Sequence, residues 1–346
     1  MNTDEDFMRR ALEVAARGCY GVSPNPMVGA VLVRDGEVLA EGWHRRAGEA
    51  HGEIEALHNC VDARGATMYV NLEPCAHHGR TPPCTDALIA AGVTRVVIAM
   101  PDPHERAAGG AERLRAAGVE VVTGVLEAEA RQLNEVFAYA ITARRPFVVL
   151  KAGMTFDGKL ATIERESKWI TSPAARERSL ALREAYDAIV VGGGTILADD
   201  PQLTRRLGWS NAVQPWLRVV LDRHRIVPPA ARVLNDGGNT LHITEDVPLE
   251  ELLADLYSRG VHSLLVEGGS RLHSEFLQQR LWQKMVVFVA PLLVGGDTAP
   301  PFYGGEPAHR LAEALRFRFD RFDIVGSDLM IVAYPTWGNR TPAGAQ

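Results

Sequence analysis

Apolar and polar positions alternate along this chain in two rhythms, one helical and one strand-like. Phe7, Met8, Ala11, Leu12 and Ala15 recur at helical spacing behind Thr3, which predicts a capped helix running to about residue 17. Residues 28–34 and 37–41 read as strands joined at Asp35-Gly36, a hairpin turn pair. The pattern then predicts a helix from near His51 to about residue 60, a strand over 66–72 and a loop rich in Pro, His and Gly over 73–83. Next come a helix over 84–91 closed by Gly92, a strand over 95–100, a helix over 110–117 and a strand over 119–123. One long helix is expected from about residue 126 to 143, ending at Arg144-Arg145-Pro146.

The alternation restarts after that proline. Strands are expected at 147–152, 188–191, 218–221, 240–243, 263–266 and 285–290, with helices at 173–186, 249–259 and 270–278. Strands alternating with helices in this way build an α/β sheet with covering helices. The expected division is therefore a domain of residues 1–145 and a second of 146–336, followed by a disordered Gly/Pro/polar tail over 337–346.

Composition narrows the classes. A chain of 346 residues suits two domains rather than one. A formal charge of −6 gives no general basic footprint for nucleic acid. No apolar run reaches the ~20 residues that span a bilayer, and the N-terminus carries no apolar signal region, so neither membrane nor export is predicted. Four cysteines at this length are too few for a disulfide scaffold; a reducing cytoplasm and metal or catalytic roles fit better.

The chemistry sits in two clusters, His51-Gly52-Glu53 and Pro74-Cys75 with Cys84 nine residues on. Hydrolytic deamination of an aminopyrimidine needs water ionised near neutral pH, aim at the ring carbon, and a proton for the departing ammonia. Zinc on three protein ligands with one open position supplies the first two, and a carboxylate that is not a ligand supplies the third. Base deaminases carry this as H-x-E followed by P-C-x-x-C. His51, Cys75 and Cys84 would be the zinc ligands and Glu53 the proton shuttle. Residues two apart face different sides of a helix, so His51 must lie at the helix's irregular start, and Cys84 should begin the next one. Singly, a Cys is more often a small core residue and a His a satisfied or surface group.

The surrounding residues lift the assignment. Pro24-Asn25-Pro26-Met27-Val28-Gly29, Gly42-Trp43-His44, Ala47-Gly48-Glu49-Ala50-His51-Gly52-Glu53 and Leu72-Glu73-Pro74-Cys75-Ala76-His77-His78-Gly79-Arg80-Thr81-Pro82-Pro83-Cys84 together resemble the bifunctional deaminase/reductase family of riboflavin biosynthesis. That resemblance accounts for the wide cysteine gap and implies that Asn25 contacts the pyrimidine and His77 lines the same pocket. The chain departs from the family at Gly52, where Ala is usual, and at Asp102-Pro103-His104-Glu105, where Asp-Pro-Asn-Pro is common.

The second half lacks G-x-G-x-x-G after its first strand. It has Gly-rich turns at Gly192-Gly193-Gly194, Gly268-Gly269 and Gly295-Gly296, whose amides could approach phosphates. Lys151-Ala152-Gly153-Met154-Thr155-Phe156-Asp157-Gly158-Lys159, Ser167-Lys168-Trp169-Ile170-Thr171-Ser172 and the stretch from Gly194 to Thr204 resemble the family's reductase half. The resemblance thus spans nearly the whole chain. It implies a cytidine-deaminase-like α/β/α sandwich followed by a dihydrofolate-reductase-like α/β domain that uses NADPH. Gly153, Trp169, Thr195 and Asp199 would touch the cofactor, with Gly269, Ser270 and Arg271 at its phosphates. Ser167, Arg183, Leu203, Arg206 and Glu267 would hold a ribosyl phosphate substrate, with Lys151 near the sugar. A homo-oligomer is implied on the same ground.

Two other readings stay open on the residues alone. A nucleic-acid base deaminase shares the zinc logic, but the net charge and the reductase-like half oppose it. A non-catalytic module with structural zinc would close the metal with a fourth protein ligand, and three can be named here.

Overall fold

A computed structural model describes residues 2–77, 82–104 and 107–337, and they divide into two compact units. The first comprises Met1–Arg144 with Ser210–Val213, the second Arg145–Trp209 with Gln214–Gln346. No helix among the described residues is long and apolar enough to cross a membrane.

The first unit opens with α1 (Asp4–Ala16), held by a reciprocal capping box between Thr3 and Asp6. Then follow β1 (Gly29–Arg34), β2 (Glu37–Trp43), α2 (Gly52–His58), β3 (Thr67–Leu72), α3 (Cys84–Ala90), β4 (Arg95–Met100), α4 (Gly110–Ala116), β5 (Glu120–Thr123), α5 (Glu127–Leu133) and α6 (Glu135–Ala143). The strand order is β2-β1-β3-β4-β5. β1 runs antiparallel to β2 and β3, and β3, β4 and β5 are parallel. Parallel strands covered on both faces read as continuous apolar runs, and Val96, Val97, Ile98, Ala99 and Met100 are all buried. Helices α1 and α5 pack together, as do α2, α3 and α4, forming the covering layers.

The expected single helix over 126–143 is two helices. They break at Asn134, which is 1 % exposed and turns its side chain inward. Its Oδ1 accepts the Met27 amide and its Nδ2 donates to the Met27 carbonyl. Buried Asn71 holds the same strand entry, accepting from Gly29 N and donating to Met27 O. A tertiary contact over a hundred residues away thus overrides helix propensity and fixes the segment that carries Asn25.

In the second unit, β6 (Phe147–Thr155) leads to α7 (Pro173–Ala185), β7 (Ala188–Gly192), α8 (Gly193–Asp199), β8 (Leu217–Leu221), α9 (Arg232–Asn235), β9 (Thr240–Ile243), α10 (Leu249–Ser258), β10 (Ser263–Val266), α11 (Ser270–Gln278) and β11 (Lys284–Ala290). A hairpin of β12 (Phe317–Val325) and β13 (Asp328–Pro335) completes the sheet, in the order β12-β13-β11-β6-β10-β7-β8-β9. β10 returns to lie between β6 and β7, parallel to both. The sequence pattern did not predict β12 and β13, nor the short α8 and α9. The core is anchored by Trp282, Phe276 and Leu256, each essentially inaccessible, and truncating either aromatic there costs about 3–5 kcal/mol. Trp337, placed by the sequence reading in the tail, stacks edge-on against Trp282 at 5.5 Å. The other tail residues, 338–346, lie outside the described residues.

Candidate active sites

In the first unit, His51 is the N-cap of α2, with extended backbone (φ −73°, ψ 163°), so its ring is released from the helix direction. Cys84 is the first residue of α3, behind Pro83, and Cys75 lies in the loop after β3. The His51 nitrogen and the two sulfurs all lie within 4.8 Å of one another. His51 Nδ1 is 3.3 Å from Cys84 Sγ and 3.8 Å from Cys75 Sγ, and the Cys84 amide donates to Cys75 Sγ at 3.4 Å. One imidazole and two sulfurs at this separation match the donor set zinc takes, and among the described residues no fourth His, Cys, Asp or Glu joins the group.

Charge in this cluster is balanced against itself. Cys75 is pulled down to about 4 by the hydrogen bond from Cys84, against burial, with help from His51. Cys84 is pushed up by its bond to the Cys75 thiolate and by burial. His51 is raised to about 9, chiefly by Cys75. A divalent cation would let both sulfurs ionise and leave the imidazole neutral.

Glu53 lies in the first turn of α2 and is 2 % exposed. Its Oε2 is buried without a hydrogen-bond partner, and burial pushes its carboxyl above the usual carboxylate range. A buried carboxyl with one oxygen unpartnered, beside a metal donor set, is a proton carrier in waiting.

Helix α2 can approach the sheet this closely because of two glycines. A Cβ on Gly42 would meet the Ala56 amide nitrogen at 2.2 Å, and one on Gly52 would meet the Val28 carbonyl oxygen at 2.7 Å. The departure from Ala at 52 is thus a packing feature of this chain.

Asn25 Nδ2 lies 3.0 Å from His44 Nε2, and His44 Nδ1 lies 2.9 Å from the Ala50 carbonyl. The carbonyl can only accept, so Nδ1 carries the proton and Nε2 accepts from Asn25. Burial lowers the His44 pKa, which keeps the ring neutral. Glu73, also unassigned by the sequence reading, accepts from the amides of Asp102, Gly109 and Ala111 and so ties the 102–111 segment beneath the cysteine loop. His104 N donates to Asp102 Oδ1 at 2.8 Å, which forms the turn where the chain departs from Asp-Pro-Asn-Pro; Glu105 is outside the described residues. His77 is exposed in the loop before α3, and the four residues after it are likewise outside.

In the second unit, Lys151 within β6 and Glu267 just past the end of β10 follow the paired residues Leu150 and Val266 of these parallel strands, so they stand side by side at the carboxyl end of β10, the end at which α/β sheets bind ligands. Arg183 reaches Glu267 with two bonds, Nε to Oε1 at 2.8 Å and Nη2 to Oε2 at 2.9 Å, and Lys151 Nζ lies 3.4 Å from Oε2. Burial alone would raise the Glu267 pKa; the two cations overcome it and hold the group at about 2. The guanidinium fork of Arg183, expected to hold the ribosyl phosphate, is thus occupied by a carboxylate, with Nη1 on the Thr204 carbonyl.

Other predicted residues fall around this trio. Lys168 pairs with Asp199 at 3.0 Å, which joins the Ser167–Trp169 segment to α8 and Thr195. Exposed Trp169 carries Arg176 over its ring at 4.4 Å. Gly153 faces Thr171, whose methyl lies 3.0 Å from where a Cβ would stand. Gly269 caps α11, with open space at its Cα; Ser270 begins that helix and Arg271 is exposed. Leu203 and Arg206 depart from simple ligand contacts. The Leu203 side chain is 2 % exposed among Val191, Ile196 and Val220, and its carbonyl accepts from Trp216. Arg206 is exposed, with its amide on Glu184. The Gly295 turn is closed from within: the Asp157 carboxylate accepts from the amides of Val294 and Gly295, so it is no open phosphate nest.

A zinc-type nucleotide deaminase unit followed by a reductase-type α/β unit is the class these two folds define. Residues 1–100 match the cytidine and deoxycytidylate deaminase zinc-binding region, and residues 146–331 match the RibD C-terminal domain. The chain is 40 % identical to the riboflavin biosynthesis protein RibD of Escherichia coli, over 95 % of this chain and 98 % of that protein. It is 39 % identical to RibD of Actinobacillus pleuropneumoniae, over 95 % and 94 %. A crystal structure of a diaminohydroxyphosphoribosylaminopyrimidine deaminase/5-amino-6-(5-phosphoribosylamino)uracil reductase from Thermotoga maritima superposes with a TM-score of 0.88, at 38 % identity, covering 96 % of this chain and 98 % of that one. Acinetobacter baumannii RibD gives 0.86 at 36 %, covering 96 % and 99 %. The chain belongs to the RibD family of riboflavin biosynthesis, and it is a bifunctional zinc-dependent deaminase and NADPH-dependent reductase.

Proposed function

We propose that residues 1–145 hydrolyse the 2-amino group of 2,5-diamino-6-ribosylamino-4(3H)-pyrimidinone 5′-phosphate and that residues 146–336 reduce the ribosyl group of the product to ribityl. The observation that carries the first half is the convergence of His51, Cys75 and Cys84 within 4.8 Å beside the buried Glu53 carboxyl. Zinc, when held there, supplies ionised water near neutral pH and aims it at the ring carbon. Glu53 would take the first proton of the attacking water and pass it to the ring nitrogen beside the attacked carbon, then take the second from the hydroxyl left on that carbon and give it to the amino group, which departs as ammonia when the C–N bond breaks and the C=O forms. Burial raises the Glu53 pKa, which favours the protonated form it must hold between the two transfers. Asn25, fixed by His44, faces the pyrimidine, with His77 at the rim of the same pocket.

In the reductase half the chemistry is the hydride of NADPH; the protein supplies position and field. Gly153, Trp169, Thr195, Asp199 and the Gly269–Arg271 turn hold the cofactor. Lys151, Ser167, Arg183, Leu203, Arg206 and Glu267 hold the ribosyl phosphate. Glu267 aligns Lys151 and Arg183, so Arg183 offers a ligand its edge rather than its fork. The enzyme works on a small molecule in the cytoplasm, as a homo-oligomer. Its cysteines are all free thiols, as a reducing compartment keeps them.

The test supplies the diamino substrate and NADPH and follows ammonia release and loss of nicotinamide absorbance, with and without a zinc chelator. Chelation should stop ammonia release while reduction of supplied deaminated intermediate continues. Ammonia release that survives complete zinc removal would overturn the proposal.

A further inference from the structure

The segment over residues 203–207 is pinned to the end of α7 by contacts that run in both directions. From the helix, Arg183 Nη1 donates to the Thr204 carbonyl at 3.3 Å. One oxygen of Glu184, a residue 1 % exposed, accepts from the amides of Arg206 and Leu207 at 3.1 and 2.9 Å. From the segment, Arg205 donates through Nε to the Arg183 carbonyl at 2.7 Å and through Nη2 to the Tyr186 carbonyl at 2.5 Å. α7 ends at Ala185 and Tyr186 is its C-cap, so both acceptors belong to the last turn, where carbonyls lack partners within the helix and carry the negative end of its dipole.

A second set of contacts closes the loop. The Arg205 guanidinium lies over the Trp216 ring at 4.7 Å, and Trp216 Nε1 donates to the Leu203 carbonyl at 2.8 Å. Leu203 stands at φ 55°, a left-handed conformation rare for a bulky residue, which persists where the surroundings over-determine it. The two adjacent arginines differ in what they leave available. Arg205 is half-buried, its fork is spent on two carbonyls, and Asp187 and Glu184 attract its charge. Arg206 has its amide fixed by Glu184, but its side chain is exposed, with one long contact from Nε to Thr204 Oγ1 at 3.5 Å.

We propose that Arg205 is a positioning residue for the reductase: by clasping the end of α7 it sets Arg206, and the edge of Arg183 beside it, for the phosphate of the substrate. This rests on the reading above of Arg183 and Arg206 as holders of the ribosyl phosphate. A guanidinium binds phosphate as a rigid planar fork, so its contribution depends on where its own backbone is held. The reciprocal pair, Arg183 to Thr204 and Arg205 to Arg183, ties both arginines to one frame. A lysine at 205 would supply the same charge from a single point and could not fork across two carbonyls. The clasp includes none of the residues assigned to NADPH, so it acts on phosphate binding and leaves hydride transfer alone.

Steady-state reduction by the full zinc-loaded chain, with the deaminated intermediate and with its dephosphorylated form, tests this. Arg205→Met keeps a stem over Trp216 and removes both donors. It should raise the KM for the phosphorylated substrate by about tenfold or more, with kcat and the KM for NADPH within about twofold of native. Its kcat/KM for the dephosphorylated form should stay within about twofold of native, so discrimination in favour of the phosphate falls; a merely structural loss would lower both substrates alike. Arg205→Lys should lose about threefold or more of that discrimination, and it carries the test if Arg205→Met does not fold. Arg206→Ala should raise the same KM, and adding Arg205→Met to it should cost nothing further, since the two act through one contact. Native discrimination in the Arg205 variants beside a raised KM in Arg206→Ala would overturn the inference alone, as would equal losses on both substrates or additive losses in the double variant. An unchanged KM in Arg206→Ala would overturn the phosphate reading on which it rests.

Discussion

Replacing Glu267 by Gln should destabilise the second unit in a way that depends on pH. The native carboxylate is held at about 2 against an ordinary value of 4.5, because Arg183 and Lys151 outweigh its burial. Its side chain is 11 % exposed, and those of Arg183 and Lys151 13 % and 16 %, so solvent screens the trio little. A shift of that size corresponds to on the order of 3 kcal/mol at neutral pH. The folded pKa is depressed, so this stability is fully present above the unfolded value near 4.5 and is lost as pH falls toward 2. Calorimetry of both proteins should show the reductase transition of Glu267→Gln lowered by several degrees at pH 7, at about 2–4 °C per kcal/mol for a unit of this size. The gap should narrow as pH falls below about 4.5. NADPH-dependent reduction should fall as well, since Lys151 and Arg183 lose the group that aligns them. A variant within ~0.5 kcal/mol of native at pH 7, or a gap that widens on acidification, would refute the argument.

Two further outcomes follow from the first unit. Glu53→Gln keeps the shape of a buried group but carries no proton, so ammonia release should drop by ~10²–10⁴-fold with zinc content and reductase activity unchanged; metal analysis beside the coupled assay checks this. Gly52→Ala should cost about 1–3 kcal/mol in urea unfolding and weaken zinc retention, because its Cβ would press on the backbone of Val28 and tilt the helix that carries His51 and Glu53.

Legibility in the sequence followed the range of the interactions. The strand over Arg95–Met100 was read at its true bounds because its burial on both faces leaves an unbroken apolar run. The candidate zinc donors were readable from the H-x-E and P-C pattern and from the resemblance of the residues around them, and that reading required His51 and Cys84 to stand at helix starts, where the structure has them. The break at Asn134 was hidden, since its cause is a contact with Met27 far away in sequence. The hairpin of β12 and β13 was hidden too, because the bulge at Asp320 destroys the two-residue rhythm that marks a strand. The resemblance pointed to Arg183 as a holder of the ribosyl phosphate; that its fork rests on Glu267 depends on strand order, which brings β10 beside β7, the strand that α7 leads into. The buried asparagines and Glu73, which hold the deaminase loops, left one signal: polar residues amid strongly apolar stretches.

The central claim is that His51, Cys75 and Cys84 hold one zinc ion that the deamination requires. The most direct measurement titrates zinc into metal-free protein while recording bound metal and ammonia release together. The account predicts that both rise in parallel and saturate at one ion per chain, and that Cys84→Ala gains neither. Full ammonia release from metal-free protein, or stoichiometric zinc retained by Cys84→Ala, would contradict it.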